Sequence, residues 1–170
     1  MNAIQQEWVW FVTRDKDTGW SGDVLPPTNG GHVVSGTLRL SIGEDNYLLG
    51  ADDVAFVASG QLHGGQPDHC VYECVVFDMR LLLKSNDHCK PYIAEVLEGY
   101  VEITPHLPAG NPVTQNTLLP MFDALREQCD GYALITLGCL FQFVGEVYRF
   151  GAYQRREQPH ERSHRRDVRG

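Results

Sequence analysis

The chain has 170 residues, 42% hydrophobic and 21% charged, with a formal net charge of −8, enough apolar content for one sizeable core and too much for a disordered chain. The charge is uneven: residues 154–170 hold six Arg against Glu157, Glu161 and Asp167, so that segment carries +3 and the remainder −11, a poor surface for nucleic acid. No leader pattern opens the sequence and no uninterrupted apolar run approaches the roughly 18 to 20 residues of a membrane span, so the expectation is a cytoplasmic protein with no membrane partner.

Glu7 to Thr13 (EWVWFVT) reads as an aromatic strand, broken by the turn residues Asp15 to Gly19, and Trp20 begins a second extended segment. Pro26, Pro27, Gly30 and Gly31 argue against a central strand and place that stretch at an edge or in a loop. From Gly36 to Asp78 the chain reads as four short strands punctuated by turns. Leu38, Leu40 and Ile42 alternate with Thr37, Arg39 and Ser41, which puts one face of a strand on a core and the other in water. Gly43 to Asn46 supply hairpin chemistry, and Tyr47 to Leu49 returns antiparallel. Val54 to Ala58 is a short apolar run closed by Ser59 and Gly60, and Cys70 to Phe77 is a longer run of β-branched and aromatic residues. In that last run Cys70, Tyr72, Cys74 and Val76 share one face and Val71, Glu73, Val75 and Phe77 the other; periodicity leaves open which face points inward. Strands this dense, with no helix between them, predict a mainly β fold, a barrel or sandwich of antiparallel strands.

Farther on, Pro91 suits the first turn of a short helix, with Asp87 as a nearby cap and Gly99 as its stop. Tyr100 to Ile103 reads as extended, ended by Pro105, and Pro108 to Pro112 as loop. Thr117 is the expected cap of a helix with Leu118, Met121, Phe122 and Leu125 on one face, closed by Asp130-Gly131. Tyr132 to Phe150 is a helix apolar on two sides. Leu134, Leu137, Phe141, Val144 and Tyr148 form one stripe, and Ile135, Leu140, Phe143, Val147 and Phe150 fill much of the rest. Such a helix needs two partners, its own domain and a second copy, or a monomer core that encloses it. Gly138 and Gly145 would let a second helix come close. A helix-turn-helix is rejected, because Gln142 is the one side chain between Tyr132 and Tyr148 of a kind that reads bases. The five Cys read as reduced: Cys70 and Cys74, on one face of one strand, lie about 13 Å apart at 3.3 Å per residue, too far to bridge.

Ser35-Gly36, the hairpin, Asp53-Val54, Ser59-Gly60, His63 and Glu73-Cys74-Val75-Val76-Phe77-Asp78 follow one another in an order that resembles the cupin barrel of AraC-type transcription regulators, their effector-sensing domain. Tyr132 to Phe150 resembles the helix that pairs two subunits in that family, so the resemblance covers most of residues 30 to 150. It implies a cupin-type antiparallel barrel (a double-stranded β-helix or jelly roll) followed by C-terminal α-helices. The implied division is a sensing barrel over residues 1–115, a helical dimerisation region over 116–153 and a disordered basic tail or linker over 154–170. Metal-binding cupins carry two His and a carboxylate ahead of the Ser-Gly turn and a further His after the second hairpin. Here those positions fall near Val24 and Leu25 and on Asn29, which leaves His63, with His32 the one imidazole nearby. No metal, other cofactor or catalytic residue is therefore expected.

The resemblance implies instead that a small-molecule effector sits inside the barrel, with His63, His32, Tyr72 and Cys74 as its binding residues. It also implies a homodimer through Leu137, Phe141, Val144 and Tyr148, with Leu140 and Val147 turned toward the subunit's own core. AraC-type regulators bind DNA through a separate C-terminal domain, and nothing after Tyr153 resembles it, so DNA is expected as a partner only through a domain absent from this chain. Two other readings stay open, a metal-dependent cupin enzyme and a ligand-free structural dimerisation module.

Overall fold

A computed structural model describes residues 8–14, 20–23 and 28–157. Val24, Leu25, Pro26, Pro27 and the basic segment beyond 157 lie outside the described residues. In chain order the elements are β1 (Trp8–Arg14), β2 (Trp20–Asp23), β3 (Thr28–Ile42), β4 (Asp45–Leu49), β5 (Val54–Val57), β6 (His63–Phe77), α1 (Lys90–Leu97), β7 (Val101–Ile103), β8 (His106–Leu107), α2 (Leu119–Glu127), α3 (Tyr132–Phe150) and β9 (Tyr153–Arg155). The cupin-type architecture expected from the sequence is present: a curled, seven-stranded antiparallel sheet followed by helices.

Where four short strands were expected between Gly36 and Asp78, two of the strands run for 15 residues each, β3 beginning ahead of that stretch. They build the curl. β3 pairs with β6 along its whole length, but on its other side Asn29–His32 meets β5 while Leu38–Ile42 meets β4. Between these halves the β3–β6 register shifts twice, at Val33/Ser35 and Ser35/Thr37. Gly36 stands at this corner with φ +77°, and a Cβ there would lie 2.0 Å from the His69 carbonyl oxygen. Only glycine fits such a position. His69, itself at φ +43°, bends β6 at the same level. The sheet thus folds into two leaves, one made of β1, β5, β8 and the adjoining halves of β3 and β6, the other of β2, β4 and the remaining halves.

One expectation is overturned here. Gly30 and Gly31 lie in the centre of the sheet, bonded to both β5 and β6. Gly30 is small because of what crosses it: a Cβ there would meet Val75 Cγ1 at 3.3 Å.

Each side of the first leaf carries its own apolar cluster. Between the leaves, Val33, Leu38, Leu40, Leu49, Val57 and Cys70 pack together. On the far side Val54, Phe56, Val75 and Phe77 meet the helices. The central member of that helical layer is α3, whose Leu140, Phe143, Val144 and Val147 are buried, each worth roughly 1.5–3 kcal/mol. By length and composition α3 is also apolar enough to cross a membrane. Contacts such as Phe143 against Phe56, with ring centroids 5.5 Å apart, account for the buried part of that apolarity.

Helix boundaries differ from expectation in three places. Asn86, not Asp87, accepts backbone hydrogen bonds ahead of α1, from His88 and Cys89, while Asp87 pairs with Lys90. The helical segment before α2 opens earlier than Thr117, with a π turn over Thr114–Leu118, and the Thr117 hydroxyl donates to the Val113 carbonyl in its interior. Gln128, at φ +47°, ends α2 two residues ahead of Asp130. Residues 154–156, the start of the expected tail, are instead held to the fold: β9 pairs with β7, Arg155 reaches Glu95, and Arg156 reaches Glu102.

Candidate functional site

Cross-strand partners share a face, so the pairing of β3 with β6 fixes where each candidate residue lies. His63 stands opposite Ile42, Tyr72 opposite Val33 and Cys74 opposite Gly31, and all three belong to the face between the leaves. The inward face left open by periodicity is therefore that of Cys70, Tyr72 and Cys74. His63 is 6% exposed, Tyr72 and Cys74 8% each. The His63 ring donates through Nδ1 to the Gln61 carbonyl, 3.1 Å away, and its Nε2 has no partner among the described residues. Burial, with the Glu73 carboxylate adding to it, pushes the Cys74 thiol up to about 12, so this sulfur is a weak donor and no thiolate.

At one end of this face the leaf opens. Ile42, Asp45, Tyr47 and Gln61 form one wall of a cavity of about 180 Å³, and Glu102, Thr104 and Gln154 form the other. That is space for about six waters at roughly 30 Å³ each, or one small polar molecule. Burial, then the carboxylates of Asp45 and Glu102, hold the Tyr47 phenol above its ordinary range, so the hydroxyl stays protonated and able to donate. None of these residues was nominated from sequence. The available signal was Tyr47, the cross-strand neighbour of Leu40 and hence on the inner face.

The remaining candidate, His32, is not brought into this site. It is 4% exposed, but it stands opposite Glu73 on the helix side of the leaf. Its Nδ1 lies 2.8 Å from Glu73 Oε1 and its Nε2 3.0 Å from Asp52 Oδ1, and its ring packs on Phe122 of α2 with centroids 5.3 Å apart. Arg126, also on α2, completes the cluster by bonding Glu73 Oε1. Among the described residues no group of three or more His, Cys, Asp or Glu is arranged to hold a metal ion.

The residues assigned to a subunit seam divide in the same way. Val144 is 2% exposed in the subunit's own core, which removes it from any seam. Leu137, Phe141 and Tyr148 are half-buried against that core, and the Tyr148 hydroxyl donates to Glu95 Oε2 at 2.7 Å. Leu140 and Val147 do face inward. The exposed stripe of α3 runs instead through Leu134, Ile135, Gly138, Gln142, Gly145 and Arg149.

No curated protein matches the chain. Solved structures resemble parts of it. A conserved protein of unknown function from Streptococcus pyogenes is 17% identical over 44% of this chain and 67% of its own, with a TM-score of 0.41. An RmlC-like cupin from Shewanella frigidimarina is 18% identical over 41% of this chain and 65% of its own, with a TM-score of 0.39. A variant of oxalate decarboxylase from Bacillus subtilis is 17% identical over 44% of this chain, with a TM-score of 0.39, and the match spans 22% of that enzyme. The pattern of the AraC-like ligand binding domain matches residues 31–134, from the middle of the first leaf to the opening turn of α3. With more than half its length so matched, the chain belongs to the AraC-like ligand binding domain family.

Proposed function

We propose that this protein binds a small-molecule effector between the two leaves of its sheet and is the sensing and dimerising part of an AraC-type transcription regulator, with no enzymatic activity of its own. The observation that carries this reading is the gathering of His63, Tyr72 and Cys74 on one buried face that ends in a polar-lined cavity. A ring nitrogen with no partner among the described residues, a buried thiol, a phenol and amide groups suit recognition of a polar solute. The effector acts by binding one arrangement of the subunits better than another, because a ligand shifts an equilibrium only by its differential affinity. DNA contacts belong to a domain outside this chain. We place the protein in the cytoplasm, in keeping with five free cysteines.

Dimerisation is assigned to the exposed stripe of α3. Leu134 is 78% and Ile135 53% exposed, and Gly138 and Gly145 leave open space beside them. A two-fold contact through this stripe is isologous, each helix meeting its own copy.

A thermal-shift screen against sugars, organic acids and amines tests the effector reading, since a ligand at a hundred times its dissociation constant stabilises by about 2.7 kcal/mol. Hits are expected to be lost when His63 and Tyr72 are both replaced by Ala. Hits that survive the double replacement place the site elsewhere.

A further inference from the structure

We infer that Glu73 is the residue through which the helices sense what occupies the inner face of β6, and that His32 works beside it as an imidazolium. This rests on the reading that a small molecule binds between the leaves. The starting observation is positional. Glu73 lies between Tyr72 and Cys74 in one strand, so its carboxylate points to the helices from the same short stretch of backbone that points those two side chains at the proposed effector. A molecule that displaces β6 at Tyr72 or Cys74 displaces Glu73 with it. Glu73 is 1% exposed, a carboxylate buried in a sheet that the proposed binding chemistry does not use.

Two sets of partners lead from it away from the sheet. Toward the helices, Arg126 in the last turn of α2 donates to Oε1, and its other terminal nitrogen donates to Asp123 at 3.0 Å. Toward the turn between β4 and β5, His32 takes Glu73 on Nδ1 and Asp52 on Nε2. A neutral imidazole has one N–H and cannot donate to carboxylates at both nitrogens, whereas the imidazolium donates to both. Among the described side chains, the groups facing His32 are Glu73 from β6, Asp52 from the turn and Phe122 from α2, with Arg126 and Asp123 behind Glu73. Burial alone would lower the His32 pKa, but its hydrogen bonds to Glu73 and Asp52 outweigh burial and leave it raised. Asp52 is the weaker hold: it is 59% exposed and its backbone has φ +64°. From α2 the path continues into α3, on which α2 packs and which carries the stripe assigned to the second copy. The cluster thus gives the coupling a discrete two-state element, the protonated and deprotonated clasp, which coupling between separated sites requires.

The proton itself is the probe, so the test needs no effector. In the full ¹⁵N-labelled chain, His32 ring nitrogens and backbone amides are followed by NMR from acid to alkaline pH. His32 is expected to titrate above the ordinary histidine value of 6.5, with amides of Tyr72 and Cys74 on β6 and of residues 124–126 on α2, beyond the direct Phe122 contact, shifting at the same midpoint. Glu73→Gln is expected to lower that midpoint and silence the α2 response. Arg126→Gln, at a side chain 43% exposed, is expected to silence the response of residues 124–126 while His32 still titrates high. His32→Gln removes the response throughout. A His32 ring that is uncharged at neutral pH overturns the inference, and so do amides of residues 124–126 that ignore the titration or keep their response in Arg126→Gln. Failure of the effector reading looks different: no compound class shifts the melting temperature while the His32-linked shifts persist. Compounds that bind at the inner face and leave α2 unshifted remove the coupling and keep the effector.

Discussion

The two faces of β6 are made from alternate residues of one strand, yet they do opposite work. Cys70, Tyr72 and Cys74 point between the leaves into an apolar cluster that ends in a cavity. Glu73, Val75 and Phe77 point to the helices, where the carboxylate is tied to charged partners and the two hydrophobes join the larger cluster. In an ordinary two-layer protein the inner face of a barrel is its core and the outer face its surface. Here the helix-covered face holds the larger core, and the inner face is free to carry His63, Tyr47 and a space about six waters in size. A sheet whose stability comes from one side can accept imperfect packing on the other, which is what a binding site requires.

That contrast can be broken first at its strongest point. Phe143 is 1% exposed and packs on Phe56, so Phe143→Ala is expected to cost about 3–5 kcal/mol in chemical denaturation, the usual range for emptying a buried aromatic site. Cys74→Ala, on the inner face within the proposed site, is expected to cost about 1 kcal/mol, near the average for a point substitution. Equal losses at the two positions would show the inner face to be core like the other, and the cavity to have no binding role.

Glu73→Ala comes next, at about 3 kcal/mol. It removes the partner of His32 and Arg126, and breaking a buried pair sits near that figure at its low end when one partner can turn to solvent, as Arg126 can at 43% exposure. A double variant that also lacks Arg126 is expected to lose less than the two single losses added together, because both remove the same interaction.

The pH profile separates the charges of this face with opposite signs. His32 is raised above 6.5, so its contribution to stability is complete below that value and is lost as pH rises through its folded pKa. Glu73 and Asp53 run the other way. Burial would raise both, but hydrogen bonds from His32 and Arg126 to Glu73, and from Gly50, Ala109 and His106 to Asp53, outweigh it and hold them below 4.5 and 3.8. Their contributions are complete above those ordinary values and are lost as pH falls through the folded ones. Stability measured by denaturant titration is thus expected to form a plateau between an acid arm and an alkaline arm. His32→Gln is expected to flatten the alkaline arm; an alkaline arm that persists in that variant refutes the assignment.

How much of this was legible in the sequence depends on how far each cause lies along the chain. α3 was readable from end to end, because Gly131 and Gly151 bracket a continuous 19-residue apolar helix. The alternation in Leu38, Leu40 and Ile42 likewise showed its buried face locally. The central place of Gly30 and Gly31 was not readable, since the reason for the size of Gly30 is Val75, more than forty residues away. His32 was grouped with the effector residues because its imidazole type was visible and its partners were not: Glu73 lies 41 residues on, and Arg126 a further 53. The cavity joins the β4 hairpin to residues 102–105, a juxtaposition no local pattern encodes. On α3 two apolar stripes were evident, but the exposed stripe is neither of them: it takes Leu134 from one and Ile135 from the other, because Val144 joins Phe143 in the subunit's own cluster.

The smallest expected effect is also the one whose sign decides most. Gly138 sits on the exposed stripe of α3 with nothing within 4 Å of the position a Cβ would take. In an isolated subunit Gly138→Ala should therefore stabilise, by about 0.8–1.0 kcal/mol, the helix-propensity difference between the two residues at an exposed site. If a second α3 packs on this stripe, the same methyl group stands between two helices that glycine had allowed to approach. The expected outcome is a variant that resists denaturant better at low protein concentration and self-associates more weakly by sedimentation. Ile135→Glu gives the companion result, since Ile135 is 53% exposed in the subunit. Its folding stability should change by no more than about 0.5 kcal/mol while the dimer dissociates, because only the dimer buries the new carboxylate. A native protein that sediments as a monomer refutes the seam outright. A dimer that tolerates both substitutions moves the contact off the outer stripe of α3, and with it the last step of the path from the inner face to the second subunit.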